Sequence, residues 1–367
     1  MGATPTPTRP RERLGSFLQR AWAGRGAAST LLLPLAWIFE VLSGVRRWLY
    51  AHRWLRSSRL PVPVVVVGNL VAGGAGKTPT VIAVAGLLRS SGYFPGIVSR
   101  GYGRAEDGIR IVEPDADVSA VGDEPLLLRR RTGVPVAVGR DRVSAGRTLL
   151  RGHPGLDVLV SDDGLQHLAL QRDVEIIVFD DRGGGNGRLL PAGPLRERVS
   201  ARRRSGQLVL YNAEAPSTAL VGHRARRTLA GAVSLEDWWK GAAPSLAILE
   251  SLRGRPMLAV AGLARPQRFF AMLRDSGIVA DELALGDHHD FATLPWPEGT
   301  RDVVVTEKDA VKLAPSRRTG ARVWVAALDF EPDPAFSTAL LSLLPPPRSG
   351  SPVAPRPAPA PHGNPPA

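Results

Sequence analysis

The sequence predicts an α/β fold in which a mostly parallel sheet is covered by helices on both faces. Apolar runs have the length of buried strands, such as 64–68, the run within 157–165 that ends in Asp162 and Asp163, and 175–180. Helical runs separate them, and several of the strands end in glycine or acidic residues. A second, smaller α/β unit is predicted beyond residue 236, where the runs PMLAVAG, DVVVT and RVWVAAL repeat the same alternation.

The domain organisation follows from length and local composition. At 367 residues the chain exceeds one typical domain. We predict a flexible, polar N-terminus, a membrane-associated helical segment, two α/β domains and a disordered tail whose proline and alanine cannot bury a core. Their bounds, in that order, are 1–28, 29–58, 59–235, 236–344 and 345–367.

The composition excludes some classes of protein and favours others. The chain has no cysteine, so disulfides and cysteine-ligated zinc are excluded. The net charge of +13 attracts nucleic acid, anionic lipid and phosphorylated substrates alike, or is simply a basic, solvated surface. No RNA-binding aromatic signature or recognition helix accompanies it, so we predict no nucleic-acid partner. Lysine occurs only at Lys77, Lys240, Lys308 and Lys312, and such rarity favours positions that need a compact ammonium group.

Residues 29–50, STLLLPLAWIFEVLSGVRRWLY, form an apolar segment with aromatic and basic side chains. Pro34 and Glu40 interrupt it, and it is short for a transmembrane helix, which needs about 20 apolar residues. It lacks the small-residue cleavage site of a secretory signal. Trp37 and Arg46 are typical of a helix that lies on an anionic bilayer surface, which is the interpretation we favour. A helix packed on the body of the protein and a single membrane span remain the alternatives.

The stretch 64–80, VVVVGNLVAGGAGKTPT, has the order strand, glycine loop, helix. Glycines let backbone N–H groups approach an anion closely, and the positive end of the helix dipole adds to the attraction. We therefore predict a phosphate-binding loop, with Lys77 on the outer phosphates of a nucleotide and the Thr78 hydroxyl on Mg²⁺. The strict motif GxxxxGK[ST] has glycine where this chain has Val71, so the match is to GGxGKT. The residues predicted to bind ATP are Gly73, Gly74, Ala75, Gly76, Lys77 and Thr78.

Charged residues follow other predicted strands and turns. Asp162 and Asp163 end an apolar strand, where a carboxylate beside a phosphate loop holds Mg²⁺; a DDG turn without metal is the alternative. Asp123 and Glu124 in VGDEP either favour a helix N-terminus or serve as a base or metal contact beside the nucleotide. Arg100 in SRGYGR either pairs with phosphate or braces the turn.

Seven motifs stand in order along the chain: VPVVVVGNLVAGGAGKTP, SRGYGR, GDEP, SDDGLQH, LLPAGPLRE, DHHDF and TEKDAVK. Together with the apolar N-terminal segment, they resemble the tetraacyldisaccharide 4'-kinases of lipid A synthesis over residues 31–344. The resemblance implies a P-loop NTPase-like fold, in which 59–235 is the P-loop kinase domain. It also implies transfer of the ATP γ-phosphate to the 4'-hydroxyl of tetraacyldisaccharide 1-phosphate. The implied location is the cytoplasmic face of the bacterial inner membrane, with peripheral or monotopic attachment.

The resemblance also implies roles for individual residues. Asp123 is the implied base for the acceptor hydroxyl, paired with His288 of DHHDF, while Lys77 stabilises charge on the transferred phosphoryl group. Because Asp123 and His288 are far apart in sequence, the second domain has to close over the first. The implied Mg²⁺ ligands are Thr78, Asp162, Asp163 and Glu124. Gln166 and His167 are expected to line the site, with a packed turn as the alternative for His167. The residues left without a role are Glu307, Lys308 and Lys312.

Two rival functions come from other classes. A membrane-associated P-loop ATPase that acts as a switch or assembly factor would hydrolyse ATP under the control of a protein and make no phosphorylated lipid. A nucleic-acid-stimulated ATPase would bind DNA or RNA with strong salt dependence. Neither explains GDEP and DHHDF together with an interfacial helix. We therefore expect two partners, the acylated glucosamine disaccharide 1-phosphate and an anionic membrane surface, and no obligate protein partner.

Overall fold

The computed structural model describes residues 24–104, 107–200, 205–314 and 317–348, together with residues 18, 21 and 22. The predicted flexible N-terminus (1–28) and disordered tail (345–367) lie largely outside these residues, so both remain predictions. The described residues form one 12-stranded sheet with helices on its faces. The predicted α/β class is confirmed.

Near the centre of the sheet, β1, β2 and β5 are each five residues long and buried along their whole length. In chain order they are β1 (Val64–Gly68), β2 (Pro95–Ser99), β3 (Arg110–Ile111), β4 (Val136–Val138), β5 (Val158–Asp162), β6 (Val174–Asp180), β7 (Gln207–Asn212), β8 (His223–Ser234), β9 (Leu258–Ala261), β10 (Asp281–Ala284), β11 (Asp302–Thr306) and β12 (Arg322–Pro332). Across the sheet their order is β10-β9-β11-β12-β8-β7-β6-β1-β5-β2-β4-β3. Among these strands β8 with β12 and β3 with β4 pair antiparallel, and the other neighbours are parallel.

Helices cover both faces of this sheet. In chain order they are α1 (Ala27–Leu31), α2 (Leu33–Ala51), α3 (Lys77–Ser90), α4 (Val118–Val121), α5 (Asp123–Thr132), α6 (Arg142–Gly152), α7 (Leu235–Trp239), α8 (Leu246–Ser251), α9 (Pro266–Asp275), α10 (Glu307–Ala310) and α11 (Pro334–Ser342). Alternate residues of β1 point to opposite faces, because side chains of a strand alternate. Val65 packs in one apolar cluster with Val81 of α3, whereas Val66 packs in another with Leu149 of α6. Burial on both faces explains why β1 is a continuous run of valines.

The parallel register brings two predicted site segments to one edge of the sheet. Val67 of β1 lies opposite Asp162 of β5. Since both strands run in the same direction, the glycine loop after β1 and the acidic turn after β5 leave the sheet side by side. Ligands of open α/β sheets bind at this carboxyl edge of the strands.

One long strand joins the two predicted α/β units, and the sequence analysis missed it. The sequence predicts a domain boundary between residues 235 and 236 and no strand directly before it, but β8 occupies His223–Ser234 and is 12 residues long. Leu210 and Tyr211 of β7 pair with the start of β8, and β12 pairs with it from Ala225 to Ser234. The two units therefore share one continuous sheet. The bounds 59–235 and 236–344 remain a prediction.

The N-terminal segment is helical and mostly uncovered. Ala36 is buried against the body, and the carboxylate of Glu40 pairs with Arg198 across a 2.8 Å hydrogen bond. Large apolar side chains of α2 that are between 49% and 65% exposed are Leu35, Trp37, Ile38, Val41, Leu42, Val45 and Trp48. Within the described part of the chain, no helix combines the length and apolar character needed to cross a membrane.

Candidate active site

The glycine loop has the conformation that its glycines predict. Gly73 and Gly76 have φ angles of +95° and +92°, in the left-handed region that favours glycine. A Cβ atom on Gly76 would lie 2.2 Å from the Asn212 side-chain nitrogen, so no larger residue fits there. The Asn69 amide donates to the carbonyl oxygens of Val71 (2.6 Å) and Gly73 (2.9 Å) and so fixes the loop. The α3 helix begins at Lys77, directly after Gly76.

Lys77 lies between the loop and the acidic turn. Its Nζ donates to Asn69 Oδ1 at 3.3 Å and is 3.7 Å from Asp163 Oδ1. The lysine side chain is 13% exposed, so its charge faces the enclosed space above the loop. This is the predicted position for a cation that meets the outer phosphates.

The two aspartates after β5 differ in environment. Asp162 is buried, its Oδ2 accepts from the Ser99 hydroxyl at 3.0 Å, and its Oδ1 has no hydrogen-bond partner among the described residues. Burial, with the negative charges of Glu124 and Asp163, raises the pKa of Asp162 to about 7. Asp163 has a φ of +48° and accepts from Arg196 at 3.1 Å. Such a φ is uncommon outside glycine and is found at functional sites.

These residues fit a partial magnesium site. Within the described residues, no group of three or more histidines and carboxylates is arranged to hold a metal ion alone. Mg²⁺, however, usually keeps several waters and is held by one or two carboxylates together with substrate phosphates. The orphaned Oδ1 of Asp162 is an oxygen that such an ion would satisfy. Thr78, in the first turn of α3, lines the same cavity.

Asp123 and His288 come together from the two α/β units. His288 Nδ1 is 2.9 Å from Asp123 Oδ2, a contact between residues 165 positions apart. Asp123 is also the first residue of α5, and its Oδ1 accepts the backbone N–H of Glu124 at 2.8 Å. Asp123 therefore lies at a helix N-terminus and also contacts His288, and its role as a base or metal contact remains a prediction. His288 has a φ of +60°, a second left-handed non-glycine residue at this site.

The charges around this pair shift both ionisation equilibria. Burial alone would raise the pKa of Asp123, but the hydrogen bond from His288 and the charges of Lys308 and Lys312 hold it well below its usual value. The hydrogen bond to Asp123 raises the pKa of His288 above 6.5, against the opposing effects of burial and Lys308. Asp123 is 6% exposed and His288 32%, so the imidazole is the member of the pair that faces the cavity.

Lys308 and Glu307, left without a role by the sequence, lie at the same junction. Lys308 Nζ is 3.2 Å from Glu124 Oε1 and 3.3 Å from His288 Nε2. Glu307 accepts from the Trp238 indole at 3.3 Å and from the backbone N–H of Leu328 at 3.2 Å. Both residues line the cavity, and Glu307, which also pairs with Arg131 of α5, links the two units.

All of these groups surround one cavity of about 1220 Å³. Its lining includes the glycine loop, the acidic turn, His288, and the predicted neighbours Arg100, Gln166 and His167. The other end is lined by Phe39, Leu42, Arg46 and Arg47 of α2. A polar, phosphate-type site and a partly exposed apolar helix thus open on the same space.

Sequence reasoning missed several basic residues of this cavity. Arg196 binds Asp163 and also donates to Gln166 Oε1 at 3.2 Å; the motif LLPAGPLRE was the signal that could have found it. Arg227 of β8 lines the cavity, its Nε is buried without a hydrogen-bond partner among the described residues, and burial lowers its pKa to about 10. Its Nη2 lies 3.1 Å from the point that a Cβ of Gly76 would occupy. No pattern in the sequence pointed to Arg227.

Comparisons with known proteins agree with this geometry. The profile of the family described as tetraacyldisaccharide-1-P 4'-kinase matches residues 28–345. The tetraacyldisaccharide 4'-kinase of Methylibium petroleiphilum is 54% identical over 94% of this chain and 98% of that protein. The protein of the same name from Leptothrix cholodnii is 55% identical over 91% of this chain and 97% of that protein.

A solved structure extends the likeness to three dimensions. It is the crystal structure of the "apo" form of LpxK from Aquifex aeolicus in complex with ATP, and it is similar with a TM-score of 0.72 and 28% sequence identity. The match covers 86% of this chain and 99% of that one. The resemblance that the seven motifs carried is confirmed, and the chain belongs to the tetraacyldisaccharide 4'-kinase family.

Proposed function

We propose that this protein transfers the γ-phosphate of ATP to the 4'-hydroxyl of tetraacyldisaccharide 1-phosphate, a reaction of lipid A synthesis. The observation that carries the proposal is the single cavity, which joins a phosphate loop, an Asp–His pair and an apolar helix. A phosphate loop alone serves many chemistries. The Asp–His pair adds a means of taking a proton, and the helix adds a surface for acyl chains.

ATP binding is assigned to the loop residues Gly73, Gly74, Ala75, Gly76, Lys77 and Thr78. Backbone N–H groups of the loop and the start of α3 attract the phosphates, and Lys77 stabilises the charge that spreads over the transferred group. Arg227, whose Nε has no hydrogen-bond partner among the described residues and whose Nη2 lies beside Gly76, is a further contact for the triphosphate. The Aquifex aeolicus LpxK structure, which contains ATP, supports this assignment.

The acceptor hydroxyl loses a proton as the new bond forms, and the Asp123–His288 pair is placed to take it. We assign the pair, as one unit, the role of base. His288 is exposed to the cavity, and Asp123 behind it accepts the Nδ1–H bond, which orients the imidazole. A base near neutral pH is most effective when its pKa lies close to that pH, and the bond to Asp123 moves the pKa of His288 upward.

Mg²⁺ would be held by Thr78, by Asp162 or Asp163, and by Glu124. When bound, the ion supplies charge neutralisation at the phosphate oxygens. Side chains of the protein hold two of these carboxylates in place. Arg196 and Lys77 hold Asp163, and the Ser99 hydroxyl holds one oxygen of Asp162, while the other has no hydrogen-bond partner within the described part of the chain.

We propose further that the protein works at the cytoplasmic face of the inner membrane, attached in a peripheral or monotopic way, without an obligate protein partner. The exposed apolar side chains of α2 and its Arg46 and Arg47 suit an anionic lipid surface. Since α2 also lines the cavity, a lipid substrate would remain in contact with the bilayer while its sugar reaches the loop.

The test is to incubate the purified protein with radioactive γ-labelled ATP, Mg²⁺ and dispersed tetraacyldisaccharide 1-phosphate. We expect label in the lipid fraction, and we expect Asp123→Ala to lose transfer while it still binds nucleotide. Label released only as free phosphate would favour the ATPase switch and contradict the kinase. Activity that depends on added DNA or RNA would contradict it as well.

A further inference from the structure

Lysine is rare in this chain, and its distribution in the structure is uneven. Of 47 lysine and arginine residues, only Lys77, Lys240, Lys308 and Lys312 are lysines. Lys240 is 65% exposed and pairs with Glu236 on the surface. Lys77 and Lys308 line the cavity, with side chains that are 13% and 17% exposed, and Lys312, 6% exposed, lies behind it against Asp123.

Lys312 is the most deeply buried of the three and does not line the cavity. Its Nζ is 3.4 Å from Asp123 Oδ2 and 3.8 Å from Asp309 Oδ1, and it lies 5.9 Å from the centre of the Phe291 ring. A buried ammonium is costly unless opposite charges compensate it. Both of its carboxylate partners are buried too, so each charge depends on the others.

Asp309 anchors Lys312 to the second α/β unit. Asp309 Oδ2 accepts from the Thr306 hydroxyl at 2.7 Å and from the backbone N–H of Gly262 at 3.1 Å. This carboxylate cannot turn without breaking both bonds. The Lys312 ammonium lies 3.8 Å from the other oxygen of this fixed carboxylate, has no hydrogen-bond partner among the described residues, and reaches across to Asp123 in the first unit.

Asp123 in turn has three partners on its two oxygens. Oδ1 accepts the Glu124 backbone N–H, and Oδ2 meets both His288 Nδ1 and Lys312 Nζ. The two contacts on Oδ2 come from the second unit. Lys312 therefore contacts the carboxylate that orients His288, although it touches neither the cavity nor His288.

We propose that Lys312 is a positioning residue for phosphate transfer, which acts only through Asp123. The proposal rests on the kinase function proposed above. Lys308 differs, because it lines the cavity and lies against His288 itself.

The first test is Lys312→Met, which keeps the length of the side chain and removes its charge. We expect kcat for lipid phosphorylation to fall about 10- to 100-fold, by analogy with the range found when the hydrogen-bond partners of metal-ligating side chains are removed. The KM values for ATP and lipid should remain near those of the parent. Lys240→Met is the matched control, the same change at an exposed ion pair, and should have parental rates.

The second test is the same change in an Asp123→Ala background. If Lys312 acts through Asp123, the double variant has the kcat of Asp123→Ala alone, because the interaction is already lost. A purely structural role would lower kcat further in that background. Thermal unfolding and ATP binding of each variant check the fold, and Lys312→Gln replaces Lys312→Met should the latter not fold.

Two results would overturn the assignment: parental kcat in Lys312→Met, or losses that multiply in the double variant. Both results concern only the role of Lys312, and they can be distinguished from a failure of the proposed kinase function. Failure of the parental protein to label the lipid contradicts the kinase, whereas an active parent with an equally active Lys312→Met contradicts only the role of Lys312.

Discussion

The phosphate loop and the junction around Asp123 are built in different ways. The loop and the acidic turn follow adjacent parallel strands, and the pairing of Val67 with Asp162 is sufficient to bring them together. The junction is assembled from both α/β units, with His288 lying 165 residues from Asp123 and Lys308 lying 184 from Glu124. Nucleotide binding should therefore depend on local structure, while transfer should depend on how β8 and β12 join the units.

The largest effect is expected in the loop, from Lys77→Ala. The variant loses the cation that meets the transferred phosphoryl group, so kcat should fall roughly 10³-fold, and ATP should bind more weakly. Rates of lipid labelling and equilibrium ATP binding measure the two effects. Lys240→Ala is the surface control. If Lys77→Ala transfers phosphate to the lipid at the parental rate, the assignment of the loop to phosphate transfer is wrong.

Asp123→Ala tests the other side of the comparison. It should lower kcat about 10²-fold or more, because the base loses its orienting carboxylate, while the Kd for ATP stays near the parental value. Rates of lipid labelling and equilibrium ATP binding again measure the two quantities. Asp281→Ala, at an exposed carboxylate of β10, controls for loss of an acidic residue. A large loss of ATP binding would show that the two regions are not separable.

Arg227→Gln tests whether β8 contributes to nucleotide binding. Arg227 belongs to β8, the strand that joins the two units, but its side chain lies against the phosphate loop. Removal of one charged contact to the triphosphate should raise the Kd for ATP about tenfold. Arg226→Gln is the matched control, since Arg226 is 74% exposed and pairs with Glu331 instead. Equal affinities of the two variants would exclude Arg227 from the nucleotide site.

A smaller effect is expected for the helix at the mouth of the cavity. Replacement of Trp37 and Leu42 by serine removes exposed apolar area, so binding to anionic phospholipid vesicles should weaken about tenfold. Co-sedimentation measures the bound fraction. Val279→Ser, which changes a side chain that is 81% exposed elsewhere, should sediment like the parent. Unchanged binding of the α2 variant would contradict surface attachment through this helix.

The smallest effect is a pH dependence of folding stability, and it arises from His167 in the turn that also carries Asp162 and Asp163. Burial and the neighbouring charge of Arg142 lower the pKa of His167 from 6.5 to about 4. Above pH 6.5 the imidazole is neutral in both states. As the pH falls towards 4, the unfolded chain takes up a proton that the folded chain does not, so folding loses stability. The loss should be on the order of 1 kcal/mol after allowance for solvent screening.

Urea unfolding at pH 7.5 and pH 5 measures this loss. In His167→Gln the part of the pH dependence that arises from His167 should disappear. His52→Gln, at an exposed histidine, should keep the parental dependence. If His167→Gln and the parent lose the same stability between the two pH values, the turn does not hold a neutral imidazole.

The local parts of the fold could be predicted from the sequence. Four valines, a glycine loop and GKT define β1, the loop and α3 within 17 residues, since each element follows from its neighbours in the chain. The acidic turn after β5 could be predicted in the same way, because Asp162 and Asp163 stand at the end of an apolar run. Parallel pairing then fixes the relative position of these segments, and no longer-range information is needed.

The parts that depend on distant partners could not be predicted. The strand β8, HRARRTLAGAVS, has exposed basic residues between apolar ones, and its pairing with β12, about a hundred residues later, makes it a strand. Lys308 and Lys312 had no assignable role, because their partners Glu124 and Asp123 belong to the other unit. The sequence showed only that lysine was rare.

The central claim is that the two units build a single base at the phosphate loop. It is tested most directly by kcat for lipid phosphorylation in Asp123→Ala, His288→Ala and the double variant. If the pair acts as one group, the double variant should be about as slow as the slower single variant. Losses that multiply in the double variant would contradict the claim.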